Sequence, residues 1–194
     1  MSVSIRPRRR EDVGELVVVL TEQQPSSHYP VQWPLDIPVE EFLVRPGEER
    51  AWVAEVDGRV VGHVAVYPLG AGLREPFVEA LGTDRLAEVA VLFVALDVVG
   101  TGVGGRLLDT AVAWIVASGR RPVLDVVPAH DRAVEVYRHR GWEVVGEVRP
   151  VWLAEDFPTL VLMTLPAAGS LSARPGRPVR DPPGGPASPP RSSR

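Results

Sequence analysis

Val3 and Ile5 alternate with polar neighbours, the period of a short strand. Val13, Leu16, Val17 and Leu20 then recur at i, i+3, i+4 and i+7, one face of a helix. Residues 23–38 carry four prolines with His28, Tyr29 and Trp33 and read as a loop or a broken helical segment. Pro38–Leu43 adds one helical turn, with Pro at its start and Glu40 and Glu41 near its N-terminus. Ala51–Val56 and Arg59–Tyr67 flank Asp57-Gly58, a pair that tolerates the positive φ angles of a tight hairpin turn. Leu69–Asp84 reads as irregular, and Leu86–Ala95 as a largely buried strand that runs into a glycine cluster at residues 100–105. Leu107, Leu108, Ala111 and Ile115 form a second helical stripe ending near Gly119, and Val123–Val127 is a strand. Arg132–Arg140 reads as a helix with Ala133, Val136 and Tyr137 inward and Gly141 as its cap. Val144–Val148 and Leu160–Leu165 complete the strands. A hairpin mixed with strand–helix–strand crossovers predicts one mixed sheet with helices packed on it.

Composition changes that picture at one end. From Ala167 onward the chain has seven Pro, four Gly and five Ser in 28 residues, too little apolar surface to offset the entropy of ordering. The expected organisation is therefore a domain over residues 1–166 and a disordered tail over 167–194. Pro175–Pro178, Pro183–Pro186 and Pro186–Pro189 fit a P-x-x-P spacing that so proline-rich a segment produces by chance. All 21 basic residues are arginine, the usage expected of a GC-rich genome such as that of many bacteria. Five of them lie in the tail with one Asp, so the body carries 16 basic against 24 acidic residues. That balance argues against nucleic-acid binding and permits a cationic or amine substrate. With no cysteine, disulfides and thiolate chemistry are excluded. The run Leu16–Leu20 is too short for a signal sequence, and Val89–Val99 is interrupted by Asp97 and too short to span a bilayer. No membrane partner is expected, and the expected location is the cytoplasm.

The chemistry-bearing signal is Gly100-Thr101-Gly102-Val103-Gly104-Gly105, between a buried strand and a helix. Backbone N–H groups exposed there, at the positive end of a helix dipole, form an anion site. A P-loop needs a lysine, which this chain lacks. A dinucleotide site stays open: Gly100, Gly102 and Gly105 satisfy G-x-G-x-x-G, and Asp125, 20 residues beyond, is placed to receive a ribose hydroxyl. Against it, two strands and a hairpin precede the loop, and few βα units follow.

The third ligand is coenzyme A. Ile5-Arg6-Pro7 through Glu11-Asp12-Val13, the hairpin Trp52–Tyr67, the strand–loop–helix Glu88–Ile115 and the block Leu124–Gly146 occur in an order and spacing that resemble the GNAT (GCN5-related N-acetyltransferase) superfamily. Most telling are Leu124-Asp125-Val126 followed by Ala133, Tyr137, Gly141 and Trp142. The resemblance covers residues 2–165. It implies a mixed, mostly antiparallel central sheet of six to seven strands flanked by about four helices. It also implies acetyl-CoA as co-substrate, held by Leu92, Phe93 and Val94, by Val99, Gly100, Thr101, Gly102, Val103, Gly104 and Gly105, and by His130. Val99 stands where the family usually carries Arg or Gln, Leu96 where Pro is common and His130 where Asn is frequent.

The resemblance further implies direct attack of an amine, from a small molecule or a protein N-terminus, on the thioester. The Val94 backbone N–H then meets the oxyanion and Tyr137 acts as general acid, unless that ring merely packs its helix on the sheet. Glu88 and Asp125 compete as general base, with Glu88 preferred. His28, Tyr29 and Trp33 fall where the family shapes its acceptor pocket, and a homodimer is compatible with the fold. His63, inside a strand, and His139, near a helix end, read as structural or solvated. Neither a metal-binding His pair nor a G-x-S-x-G elbow is present. Two other classes remain open at this level: a non-catalytic acyl-CoA-binding domain and a dinucleotide-linked oxidoreductase.

Overall fold

The computed structural model describes residues 2–128, 132–151, 153 and 157–166. The expected tail and His130 lie outside them. A seven-stranded sheet has the order β1-β2-β3-β4-β5-β7-β6. Its strands are β1 (Val3–Pro7), β2 (Arg50–Val56), β3 (Arg59–Tyr67), β4 (Leu86–Val94), β5 (Arg121–Val126), β6 (Glu143–Val148) and β7 (Leu160–Thr164). Only β4 and β5 run parallel; every other neighbouring pair is antiparallel. A doubly wound dinucleotide fold requires parallel strands throughout its core, so that reading does not fit this sheet. The β2–β3 turn has positive φ at both Asp57 (49°) and Gly58 (84°), as expected for the tight hairpin.

Among the described residues five α-helices accompany the sheet: α1 (Val13–Ser27), α2 (Val39–Leu43), which lies against α1, α3 (Ala71–Leu81), α4 (Val103–Ala117) and α5 (Arg132–His139). The stripe Leu107, Leu108, Ala111 and Ile115 is the buried face of α4, as its spacing predicts, and α4 lies across β1 to β5. Two readings are corrected and one is narrowed. Residues 69–84 are not irregular: α3 forms despite Pro76 and the flanking glycines, because Phe77 is fully buried against Leu86, Val123 and Leu162. Tertiary burial there outweighs local propensity. The first helix runs past Pro25 to Ser27, so the loop begins at His28 rather than at residue 23. On α5 the inward pair is Val134 and Tyr137, at i and i+3, while Ala133 and Val136 are exposed. No helix among the described residues is long and apolar enough to cross a membrane.

Two polar arrangements hold the start of the sheet. Asp12, 3% exposed, accepts two bonds from the Arg6 guanidinium (2.7 and 2.8 Å) and one from the Arg9 backbone N–H (2.6 Å). The Arg6 hydrogen bond holds the Asp12 carboxyl below the usual carboxylate range. The resulting stabilisation is present above that range and lost as pH falls through it. Asp12→Ala is therefore expected to cost about 1.5–3 kcal/mol at neutral pH. In urea unfolding the gap to the wild type should close on acidification; a gap unchanged at low pH would exclude the charge-assisted contact.

The second arrangement is deeper. His63 is fully buried on β3, and burial pushes it down to about 3, so it is neutral. Its Nδ1 lies 2.9 Å from the Val91 carbonyl and its Nε2 lies 3.1 Å from Arg8 Nη1. A carbonyl only accepts and a guanidinium only donates, so the proton sits on Nδ1. Val91 has a φ of 53°, left-handed backbone that a β-branched residue adopts only under constraint, and the β3–β4 register shifts at this point. The His63 bond satisfies the carbonyl that this bulge removes from the ladder.

Candidate active site

The parallel strands β4 and β5 are paired only over Leu86–Glu88 and Arg121–Val123. Beyond that point β4 stays on β3 while β5 stays on β7, so a cleft opens between them. The Ala95 N–H bonds to the Val61 carbonyl at 2.7 Å, so the strand period turns the Leu92 and Val94 amides away from β3 and into this cleft. The Phe93 ring instead packs in the core, 5.7 Å from the His63 ring.

The glycine loop closes one end of the cleft. Gly100 and Gly102 have φ of 80° and 88°, and a Cβ on either would meet no atom within 4 Å. The space in front of the loop is therefore open. The N–H groups of Gly100, Gly102, Val103, Gly104 and Gly105 donate to no group among the described residues, whereas those of Val99, Thr101 and Arg106 are used internally. Five amides at the N-terminus of α4 suit a pyrophosphate. Val99, whose side chain is exposed, adds no charge there. Arg140 lies beside the loop: it donates to the Gly105 carbonyl at 3.2 Å and pairs with Asp109.

Glu88 and Asp125, the two candidates for general base, lie on one face of the sheet. Glu88 stands opposite Val123 across the parallel pair, and Asp125, two residues further along β5, points to the same face. The two carboxyls therefore act directly on each other. Burial, and then the charge of Asp125, push the Glu88 carboxyl up to about 8; burial raises the Asp125 carboxyl as well. Two carboxyls in one poorly hydrated site do not both ionise readily, so near neutral pH the pair shares a proton.

Tyr137 projects from α5 toward this pair, half-buried, with its ring edge-on to Trp142 at 5.9 Å. Burial and the Asp125 charge push its phenol up to about 12, so it holds its proton. Tyr29 arrives from the opposite side. Gln23, buried in the last turns of α1, donates to the Tyr29 carbonyl at 2.6 Å, and the Ser27 hydroxyl accepts from the Tyr29 N–H at 3.0 Å. The Tyr29 ring rests edge-on against Phe42 of α2 at 6.1 Å. Its phenol is raised by burial and feels the charges of Arg45, Asp125 and Glu88. Of the three aromatic or imidazole residues anticipated for the acceptor pocket, Tyr29 is the one brought to the carboxylates. His28 is exposed at the left-handed C-cap of α1, and Trp33 is half-buried further along the loop.

Two neighbours had no signal in the sequence. Tyr67, the last residue of β3, stands directly opposite Glu88. Arg45, in the turn after α2, covers the rings of Phe42 and Tyr67, with Cζ 4.8 and 5.4 Å from their centroids. Register alone would have found Tyr67; nothing local marks Arg45.

The fold has counterparts. A model of the acetyltransferase (GNAT) family matches residues 16–142. An uncharacterised N-acetyltransferase of Methanocaldococcus jannaschii is 31% identical over 113 residues, 58% of this chain and 46% of that protein. The chain thus spans about half the length of the curated relative it matches. Among solved structures, a GNAT-family acetyltransferase of Streptococcus pneumoniae superposes with a TM-score of 0.59 at 21% identity, over 84% of this chain and 98% of that one. A ribosomal-protein-S18-alanine N-acetyltransferase of Escherichia coli gives 0.60 at 12% identity, over 88% and 98%. A GCN5-related N-acetyltransferase of Kribbella flavida gives 0.62 at 20% identity, over 85% and 98%. At these identities the superpositions speak for the fold. The splayed β4–β5 pair, the glycine loop and a family match across most of the body lead to one assignment: this chain belongs to the GNAT family of acetyltransferases.

Proposed function

We propose that the chain transfers the acetyl group of acetyl-CoA to a primary amine by direct attack. The observation that carries this reading is the Glu88–Asp125 carboxyl pair at the closed end of the β4–β5 cleft, with Tyr137 beside it. Acetyl-CoA, when bound, supplies an acyl carbon activated by its thioester. Its pyrophosphate would be held by the amides of Gly100, Gly102, Val103, Gly104 and Gly105, with Leu92, Phe93, Val94, Val99, Thr101 and His130 as the further contacts that the family resemblance implies.

Glu88, once the pair has given up its shared proton, accepts a proton from the substrate ammonium and leaves a neutral amine. The Val94 N–H, aimed into the cleft, stabilises the charge that builds on the acetyl oxygen as the C–N bond forms and the C–S bond breaks. Tyr137 gives its proton to the departing sulfur and regains one through solvent from the amide nitrogen. One proton per turnover then leaves the carboxyl pair for water. Structural neighbours named for ribosomal-protein alanine and for spermidine acetylation support an amine acceptor. Tyr29 forms the acceptor wall, with His28 and Trp33 at its rim. The catalytic body is residues 1–166, with 167–194 a separate tail. A cytoplasmic location goes with a cytoplasmic co-substrate, and a homodimer is compatible with this reading.

The test is a thermal-shift titration with acetyl-CoA, CoA, NAD and NADP, followed by a thiol-release assay over a panel of amines. Acetyl-CoA and CoA should each raise Tm by several degrees at about 100 times Kd, since that occupancy adds about 2.7 kcal/mol. Tyr137→Phe should keep that shift and lose kcat by about 100-fold. A shift with dinucleotides alone would overturn the proposal. Binding of CoA without turnover on any amine would leave a non-catalytic acyl-CoA-binding domain.

A further inference from the structure

Among the described residues, Arg45 is the one charged group acting on the carboxyl pair that the proposed chemistry does not use. Its position is well defined: Nε donates to the Phe42 carbonyl at 3.2 Å, its own backbone N–H lies 3.4 Å from the Tyr67 hydroxyl, and its plane covers both rings. Because Tyr67 stands opposite Glu88, the guanidinium hangs over the same stretch of the sheet as the acid pair. Its charge acts on Glu88, Asp125 and Tyr29 alike. Yet it forms no ion pair among the described residues, and its two terminal amino groups donate to none of them. Neighbouring Arg8 shows the contrast: Glu48 closes it with two bonds of 2.8 and 2.9 Å.

We propose that Arg45 is the anion anchor of the acceptor site, and that the acceptor is a small amino-acid-like amine whose carboxylate binds Arg45 while its ammonium faces Glu88 and Asp125. The inference rests on the acetyl-transfer reading above. Its logic is charge matching. The cleft presents one guanidinium and, near neutrality, one net negative charge on the acid pair. A zwitterion satisfies both and adds no net charge to a poorly hydrated site. A simple amine satisfies the acids and leaves the guanidinium fork unpaired, and a polyamine brings further positive charge up to it. The aromatic walls Tyr29, Phe42 and Tyr67 suit the apolar part of such a molecule.

The experiment compares matched acceptors with and without the carboxylate: L-phenylalanine with phenethylamine, L-leucine with isoamylamine, 4-aminobutyrate with butylamine, and spermidine as a polycation. Thiol release is followed for the wild type, Arg45→Gln and Arg45→Lys, and the Tm of each variant is recorded. The wild type should favour at least one acid over its matched amine by about 10-fold or more in kcat/KM, through KM. Arg45→Gln should lower kcat/KM for the acid by about 10- to 100-fold and bring the acid-to-amine ratio toward one. Arg45→Lys, which keeps the charge and loses the fork, should recover part of it. If the wild type acetylates plain amines or spermidine at least as well as the acids, the anchor is overturned while acetyl transfer stands. If Arg45→Gln and Arg45→Lys fold with wild-type Tm and keep the acid preference, the anchor is likewise overturned. Absence of thiol release with every acceptor overturns both.

Discussion

Glu88→Gln should lower kcat by about 100- to 10,000-fold, the usual range for a lost general base, and at the same time raise Tm at pH 8. The two effects have one cause. Folding buries the Glu88 carboxyl beside Asp125 and pushes it from an ordinary 4.5 up to about 8. Between those values the folded chain binds more protons than the unfolded one, so stability falls as pH rises through that window. Glutamine is isosteric, stays neutral and still donates to Asp125, and so it removes that pH-dependent cost. The Tm difference should be largest near pH 8 and shrink toward the ordinary carboxylate range. The rate of the wild type should climb through the same window as the pair gives up its proton. Asp125→Asn, by removing the like charge from Glu88, should move that ascending limb to lower pH. A Glu88→Gln variant that loses activity and also loses stability at pH 8 would indicate a structural acid, with no role as base.

Gly102→Val should abolish the stabilisation that acetyl-CoA confers on the wild type. Gly102 sits at a φ of 88° at the N-cap of α4, where a β-branched residue costs about 1–2 kcal/mol or forces the loop to another shape. In either case the amides from Gly100 to Gly105 no longer converge. If affinity drops 100-fold, the ligand contribution at a concentration of 100 times the wild-type Kd falls from about 2.7 to about 0.4 kcal/mol. Gly14→Ala provides the control. It lies in α1, a Cβ there meets nothing within 4 Å, and it should be neutral or slightly stabilising with the acetyl-CoA shift intact. An undiminished shift in Gly102→Val would remove the glycine loop from the cofactor site.

Much of this arrangement can be read one residue at a time. Asp57-Gly58 dictates its hairpin because only a few residue types accept two positive φ angles in succession, and both angles are positive in the structure. The α4 stripe follows from the 3.6-residue period, and the glycines before it mark the place where amides are left without partners. Residues 69–84 read differently because Pro76 and the glycines speak against a helix locally. What overrules them is Phe77, buried on strands from distant parts of the chain. The same limit applies to α5, where the helix is predicted correctly but its inward face depends on how it docks, which places Val134 inside and leaves Val136 at 52% exposure.

The candidate site divides along the same line. By itself the sequence determined the family, the glycine loop and the identity of the ionisable groups Glu88, Asp125 and Tyr137, because backbone conformation, strand order and residue chemistry are local properties. That Glu88 and Asp125 form one proton-sharing pair was decided by the tertiary structure. So were the approach of Tyr29, rather than His28 or Trp33, to the carboxylates, and the position of Arg45 over the Tyr67 ring, across from Glu88. The reason is physical. Proton sharing and charge placement depend on distance and on exclusion of water, and both arise only when β4 and β5 are laid side by side and then splay beyond Glu88 and Val123.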